Sequence, residues 1–404
     1  MQQPRKKLKS IYAYYNLKKL AVLSLKSELK KIICTAFLFL ITSSCTTFDA
    51  GKKQFKVTPL WVQDTLATAN NKFRKVNRMT PVIYKNSVVV GNSYDGLVSY
   101  NLDTRNIIWR TRIDLGVEAS GSMVKDTLFI GSNNGKIYSI DLADGEINWY
   151  FDTKSEVVSE PLLDEGILYF ITASQSVYAL DATNGKQQWI FSRQDTSGGM
   201  TIRGGSKPAI SEGILYIGFS DGAVVAISAK TGTEQWEINL NRNTKFKDID
   251  SSPVIVGDLI YINSFDDKLY CLSKAKGEIL WSSPYGGAST PLIVGDTLFT
   301  TSSKGDFVAL NKQDAKLFWQ KSTKNGVFID PLNFGDLVVT GESQGKLLFV
   351  DKKSGETAGS FEPGRGIFSK PVVHKEKLYF ISGEGNIYGL EAKYESKSSI
   401  YYLK

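Results

Sequence analysis

Few residues in this chain could do chemistry. Its 404 residues include one histidine, His374, and three cysteines. His374 lies between Val373 and Lys375 at an expected strand start, where a solvated position suits it better than metal ligation. No H-E-x-x-H, G-x-S-x-G, EF-hand or phosphate-loop pattern occurs. The pairs Gly198-Gly199 and Gly204-Gly205 do not stand between a strand and a helix. Aspartates recur, but in turns, where they serve conformation. No general acid–base pair stands apart from them, so no catalytic residue, metal or cofactor is expected. What remains is recognition and anchoring. Arg203, with Asp248 and Asp250 one repeat later, can form charge-assisted, bidentate bonds, and Met200 and Ile202 add apolar surface beside it. Cys45 follows a run of small residues and could carry an acyl chain.

The segment before Cys45 reads as an address rather than as part of a fold. Residues 1–44 hold nine Lys or Arg and one acid, Glu28, which accounts for the whole net charge of +8. The rest of the chain balances to zero, so the high isoelectric point is no argument for nucleic-acid binding. An apolar run, Ile32–Ile41, precedes Thr42-Ser43-Ser44-Cys45. It is too short to span a bilayer, which takes ~20 residues, and fits a secretory signal. The arrangement resembles the bacterial lipobox, with Thr42 where that motif favours leucine. The resemblance implies lipidation at Cys45, with Thr46 next in line favouring the outer membrane. Ordinary signal cleavage with Cys45 incidental is the alternative. Residues 45–57 are read as a flexible tether reaching at most ~40 Å. Cys271, in a repeat strand, is read as a small buried apolar residue.

The elements that must position Arg203 and the aspartates are repeats. A strand, a tight turn, a second strand, another turn and then usually a tryptophan recur eight times. The markers are Trp109, Trp149, Trp189, Trp236, Trp281, Trp319 and Phe361, at spacings of 40, 40, 47, 45, 38 and 42 residues. In the second copy Asp126–Gly131 and Lys136–Asp141 alternate in residue type around Asn133-Asn134-Gly135. Prolines open several units, as at Glu160-Pro161, Lys207-Pro208 and Ser252-Pro253. Proline cannot donate to a ladder, so it fits the first residue of a strand. One such unit cannot bury its own apolar face, and a period of 40–50 residues predicts a closed propeller. The tryptophans are expected to pack between blades.

This pattern resembles the quinoprotein (PQQ-type) propeller repeat, a G-x-V/L-Y-A-L-D strand followed by T-G-x-x-x-W, over about residues 60–395. The resemblance implies an all-β fold: an eight-bladed β-propeller of four-stranded antiparallel blades, occupying residues 58–404. The eighth repeat, Pro371–Glu391, lacks a tryptophan strand, whereas Thr58–Val62 has one without a preceding repeat. The Trp61 strand is therefore expected to complete the last blade, with Ser398–Leu403 as the competing segment. Quinoprotein dehydrogenases are longer, carry adjacent cysteines over the quinone, and in some cases a haem C-x-x-C-H; this chain has neither.

The longest spacings hold enlarged connections, Gln194–Lys207 and Asn241–Pro253. They follow consecutive blades and should emerge side by side. Their sequences, MTIRGGSKP and DIDSSP, are similar in order and spacing to L-x-L-R-G-x-S-x-P and D-V-D-T-T-P of the BamB family. Those are the propeller lipoproteins of the outer-membrane β-barrel assembly (BAM) machine. The resemblance implies that Met200, Ile202, Arg203, Asp248 and Asp250 form a docking patch for the periplasmic domains of BamA. It also implies a non-catalytic scaffold at the outer membrane, lipid-anchored and facing the periplasm, with other BAM subunits as further partners. Unfolded β-barrel clients are a candidate partner too, and no nucleic acid is expected. The alternative for Arg203 and the aspartates is an internal ion pair holding the two loops together. Two rival functions stay open at this point: a quinoprotein-like periplasmic oxidoreductase, and a surface adhesin or other binding lipoprotein on the same fold.

Overall fold

The computed structural model describes residues 53–66, 77–193, 205–240 and 248–395. Cys45, Met200, Ile202, Arg203 and the segment Ser398–Leu403 lie outside the described residues. The propeller is the compact unit Phe55–Lys393.

Its strands form eight sheets of four, each antiparallel, and no helix occurs among the described residues. The second blade shows the pattern. β6 (Ser122–Val124) is short; β7 (Thr127–Gly131) and β8 (Lys136–Asp141) are buried in the middle of the sheet; β9 (Ile147–Asp152) forms the outer edge. Leu128, Ile130, Ile137 and Ile140 are fully enclosed. The turn at Gly135 requires a φ of 82°, which glycine adopts without strain. Equivalent short first strands of neighbouring blades approach one another, which puts them around the axis.

The tryptophans join blades, as expected. Trp109 donates its indole N–H to the Leu142 carbonyl of the next blade at 3.1 Å. Trp149 does the same to Ala182, Trp189 to Ala229, Trp236 to Lys274 and Trp319 to Lys352, at 2.9–3.2 Å. The acceptor begins a tight turn whose glycine lies under the ring. A methyl group on Gly145 would sit 2.5 Å from the Trp109 ring, closer than van der Waals contact allows. Five blades thus cap the next with an aromatic ring and one hydrogen bond.

Closure joins the two ends of the chain. β1 (Gln54–Asp64) is the outer strand of a sheet with β32 (Asn386–Glu395), β31 (Lys377–Ile381) and β30 (Val372–His374). Trp61 is buried on it, with Tyr379 at 5.9 Å between ring centroids. Among the two candidates for the last strand, the Trp61 segment takes the place. The strand also begins earlier than the 45–57 tether allows. Phe55 is buried against Phe334 and Phe349, with centroids 6.5 and 5.1 Å away, so the propeller already includes Phe55 and Val57. Burial of that one ring anchors a stretch whose composition reads as linker.

Candidate functional site

The site is built from the connection that enters each blade. In five blades a serine stands before the residue that precedes proline: Ser159, Ser206, Ser251, Ser289 and Ser369, all buried. Each bonds the second strand of its own blade twelve residues on. Ser159 Oγ donates to the Ile171 carbonyl at 2.9 Å, and Ser369 Oγ to the Ile381 carbonyl at 3.0 Å. Ser206 and Ser251 accept from the amides of Gly218 and Asn263 at 3.4 and 3.3 Å. The staple fixes the chain just where it turns inward. The following residue is restrained to extended backbone by its proline.

These restrained residues ring the axis. Glu160, Lys207, Ser252, Thr290 and Asp330 line a cavity of about 170 Å³, and Lys370 holds the matching position in the eighth blade. The ring is bonded from blade to blade. Lys207 N donates to Ser252 Oγ at 3.1 Å, Ser252 N to Thr290 Oγ1 at 3.3 Å, and Thr290 N to Asp330 Oδ1 at 3.0 Å. Lys207 forms an ion pair with Glu160. Burial pushes the Asp330 carboxyl up, against the pull of Lys370 and the Thr290 amide.

A second layer lies two residues earlier in each connection. Arg78, Glu118, Asp250 and Ala288 come from the first, second, fifth and sixth blades and also line the cavity. Asp250 is only partly exposed, and its carboxyl is pushed up to about 7. Burial is the main cause, the like charge of Asp248 adds to it, and Arg78 opposes it.

The two loop motifs are brought together at their described ends. Ser206 Oγ donates to the Ser251 carbonyl at 3.0 Å, and Lys207 N to Ser252 Oγ, so the ends of MTIRGGSKP and DIDSSP are hydrogen-bonded side by side. Asp250 stands at the cavity, while Asp248 is fully buried. Of the two acids, Asp250 is the one that opens on the cavity. Sequence reading singles out these loops but misses the axial ring. The signal is present in the residues before each proline, whose charges follow no strand pattern.

Cys271 and His374 are the remaining candidates for chemistry. Cys271 is fully buried, and burial pushes its thiol up to about 11, which disfavours the nucleophilic thiolate. His374 lies in β30, at its last residue, and is partly exposed. No cluster of three or more metal-ligating side chains occurs among the described residues.

Comparison with known proteins bears on this arrangement. The chain matches the family described as outer membrane protein assembly factor BamB over residues 59–150, 94–321 and 266–394. The BamB of Shewanella oneidensis is 22% identical over 396 residues, covering 90% of this chain and 98% of that protein. The crystal structure of BamB from Moraxella catarrhalis has a TM-score of 0.70 at 19% identity, over 83% of this chain and 100% of that one. A europium-containing methanol dehydrogenase has a TM-score of 0.68 at 12% identity, over 83% and 93% of the two chains, which is a likeness of fold alone. With eight closed blades and a match that runs through all of them, the chain belongs to the BamB family of outer membrane protein assembly factors.

Proposed function

We propose that this protein is a non-catalytic scaffold of the outer-membrane assembly machine that docks on the periplasmic domains of BamA. The docking surface is the paired loops after the third and fourth blades. The observation that carries this reading is the hydrogen bond from Ser206 to the Ser251 carbonyl, which sets the two motifs side by side at one end of the axis. Met200 and Ile202 supply the apolar centre of the patch and Arg203 its charged anchor, a residue type favoured at binding hot spots. Asp248, being buried, orients the loop pair rather than touching the partner. Residues 1–44 act as a lipoprotein signal, Cys45 carries the anchor, and the tether runs from there to the start of β1 at Gln54. The propeller is then held at the outer membrane, facing the periplasm.

The experiment is co-purification of BamA with Arg203→Glu, alongside a thermal melt of the same protein. Loss of capture with an unchanged melt supports docking. Normal capture by the folded variant sinks the assignment, and lost capture with a collapsed melt favours an internal ion pair. Truncating a hot spot weakens binding by ~2–4 kcal/mol.

A further inference from the structure

The axial cavity has more negative than positive charge. Glu118, Glu160, Asp250 and Asp330 line it, against Arg78 and Lys207. Most of the acids are already engaged. Glu160 pairs with Lys207, Glu118 accepts from the Asn133 side chain at 3.2 Å, and Asp330 is bonded by the Thr290 amide and drawn by Lys370. Asp250 differs. It accepts no hydrogen bond among the described residues, and the like charge that acts on it, Asp248, is on its own loop. The cation that acts on it, Arg78, belongs to the first blade while Asp250 belongs to the fifth, half a turn of the ring away. Among the described residues Asp250 thus has an opposing charge acting on it from Arg78 but no ion pair of its own.

We infer that the axial cavity receives one basic side chain, arginine or lysine, of the protein docked on this face. The inference rests on the docking reading and names the group the partner would insert. About 170 Å³ is close to the volume of a cavity that holds one benzene ring, enough for a single long side chain. Ser120, Ser252 and Thr290 add hydroxyl acceptors around the acids, suited to a group with several N–H donors. An anion would meet four carboxylates. A metal ion would need several converging ligands, and no group of three or more His, Cys, Asp or Glu side chains suited to one occurs among the described residues.

The test uses the full-length protein in detergent with its aspartate carboxyls labelled with carbon-13. Titration at pH 8 with N-acetyl-arginine amide should shift the Asp250 resonance saturably. The neutral isostere N-acetyl-citrulline amide should not. Ala288→Trp, which blocks the exposed mouth without changing charge, should weaken the response at least tenfold. Equal responses to the two amides, or none to either, overturn the inference. So does an Asp250 resonance that moves as far when Arg203→Ala is made, because the cavity would then belong to this chain's own arginine. A second arm places benzoylphenylalanine at position 288 and crosslinks to the captured partner. A crosslinked segment bearing arginine or lysine supports the inference. Capture through a segment without a basic residue overturns it and leaves docking intact. Absence of capture by wild type and variant alike defeats the docking reading itself, and this occupant with it.

Discussion

Trp281 and Ala315 are mismatched. The indole N–H of Trp281 is buried without an acceptor among the described residues. Ala315 holds, at φ 59°, the turn position that is glycine beneath Trp109, Trp149, Trp189, Trp236 and Trp319. At the preceding joint a methyl on Gly277 would lie 2.7 Å from the Trp236 ring. The real methyl of Ala315 forbids that approach and holds the indole off the Lys312 carbonyl. Left-handed backbone at alanine costs ~1–2 kcal/mol, and the missing hydrogen bond ~0.5–1.5 kcal/mol. Glycine's extra freedom in the unfolded chain offsets ~0.5–1 kcal/mol of any gain.

Ala315→Gly is therefore expected to stabilise the protein by about 1 kcal/mol. The reverse change, Gly277→Ala, should destabilise by about 2 kcal/mol by releasing the Trp236 bond. Denaturant midpoints of both variants check the pair. An Ala315→Gly midpoint below wild type would refute the steric account.

Closure through β1 predicts that both chain ends set stability. Trp61 is buried beside Tyr379 in the sheet that joins them. Trp61→Ala should cost about 3–5 kcal/mol, and deletion of residues 46–63 should lower the melting transition further by exposing the edge of β32. An unchanged melt after that deletion would mean that another segment seals the ring.

Much of the fold is legible in the sequence alone. The tryptophan spacing exposes the blade count because each ring must cap a turn of fixed shape. Trp61 stands out because its strand has no preceding repeat. Other features depend on closure and leave no local trace. Glu160, Lys207, Asp330 and Lys370 lie far apart along the chain and look like scattered surface charges until the ring brings them to one axis. Asp248 and Asp250 share one motif, yet one is enclosed and the other opens on a cavity. Two residues of extended backbone cannot reveal which neighbour covers them. Phe55 is hidden by the glycine and lysines before it, which read as linker until its ring meets Phe349.

Lipidation should govern location and not folding. Among the described residues, the apolar clusters of the propeller run from Phe55 onward. Cys45→Ser, exported with a cleavable signal, is expected to give a soluble, folded periplasmic protein with reduced assembly function. Fractionation at high salt checks this, and retention of the variant in the membrane would count against Cys45 as the anchor.

The last prediction concerns pH. In the folded protein burial and Asp248 push the Asp250 carboxyl up to about 7, from an ordinary value of 3.8. Between those values the folded state keeps a proton that the unfolded chain has released. Its contribution is therefore complete below about pH 4 and is lost as pH rises through about 7. While Asp250 titrates, the slope is at most ~1.4 kcal/mol per pH unit. Asp330, raised in the same direction, adds to the trend. Asp250→Asn should remove the Asp250 share, so that the variant gains about 1–3 kcal/mol on wild type between pH 5 and pH 8. Denaturant midpoints at both values measure it, and parallel pH profiles would show that Asp250 does not titrate there. A basic side chain seated in the cavity would favour the carboxylate and displace that proton. Capture of the partner should then tighten as pH rises from 6 to 8, by up to about tenfold per unit, and Asp250→Asn should abolish the dependence along with much of the affinity.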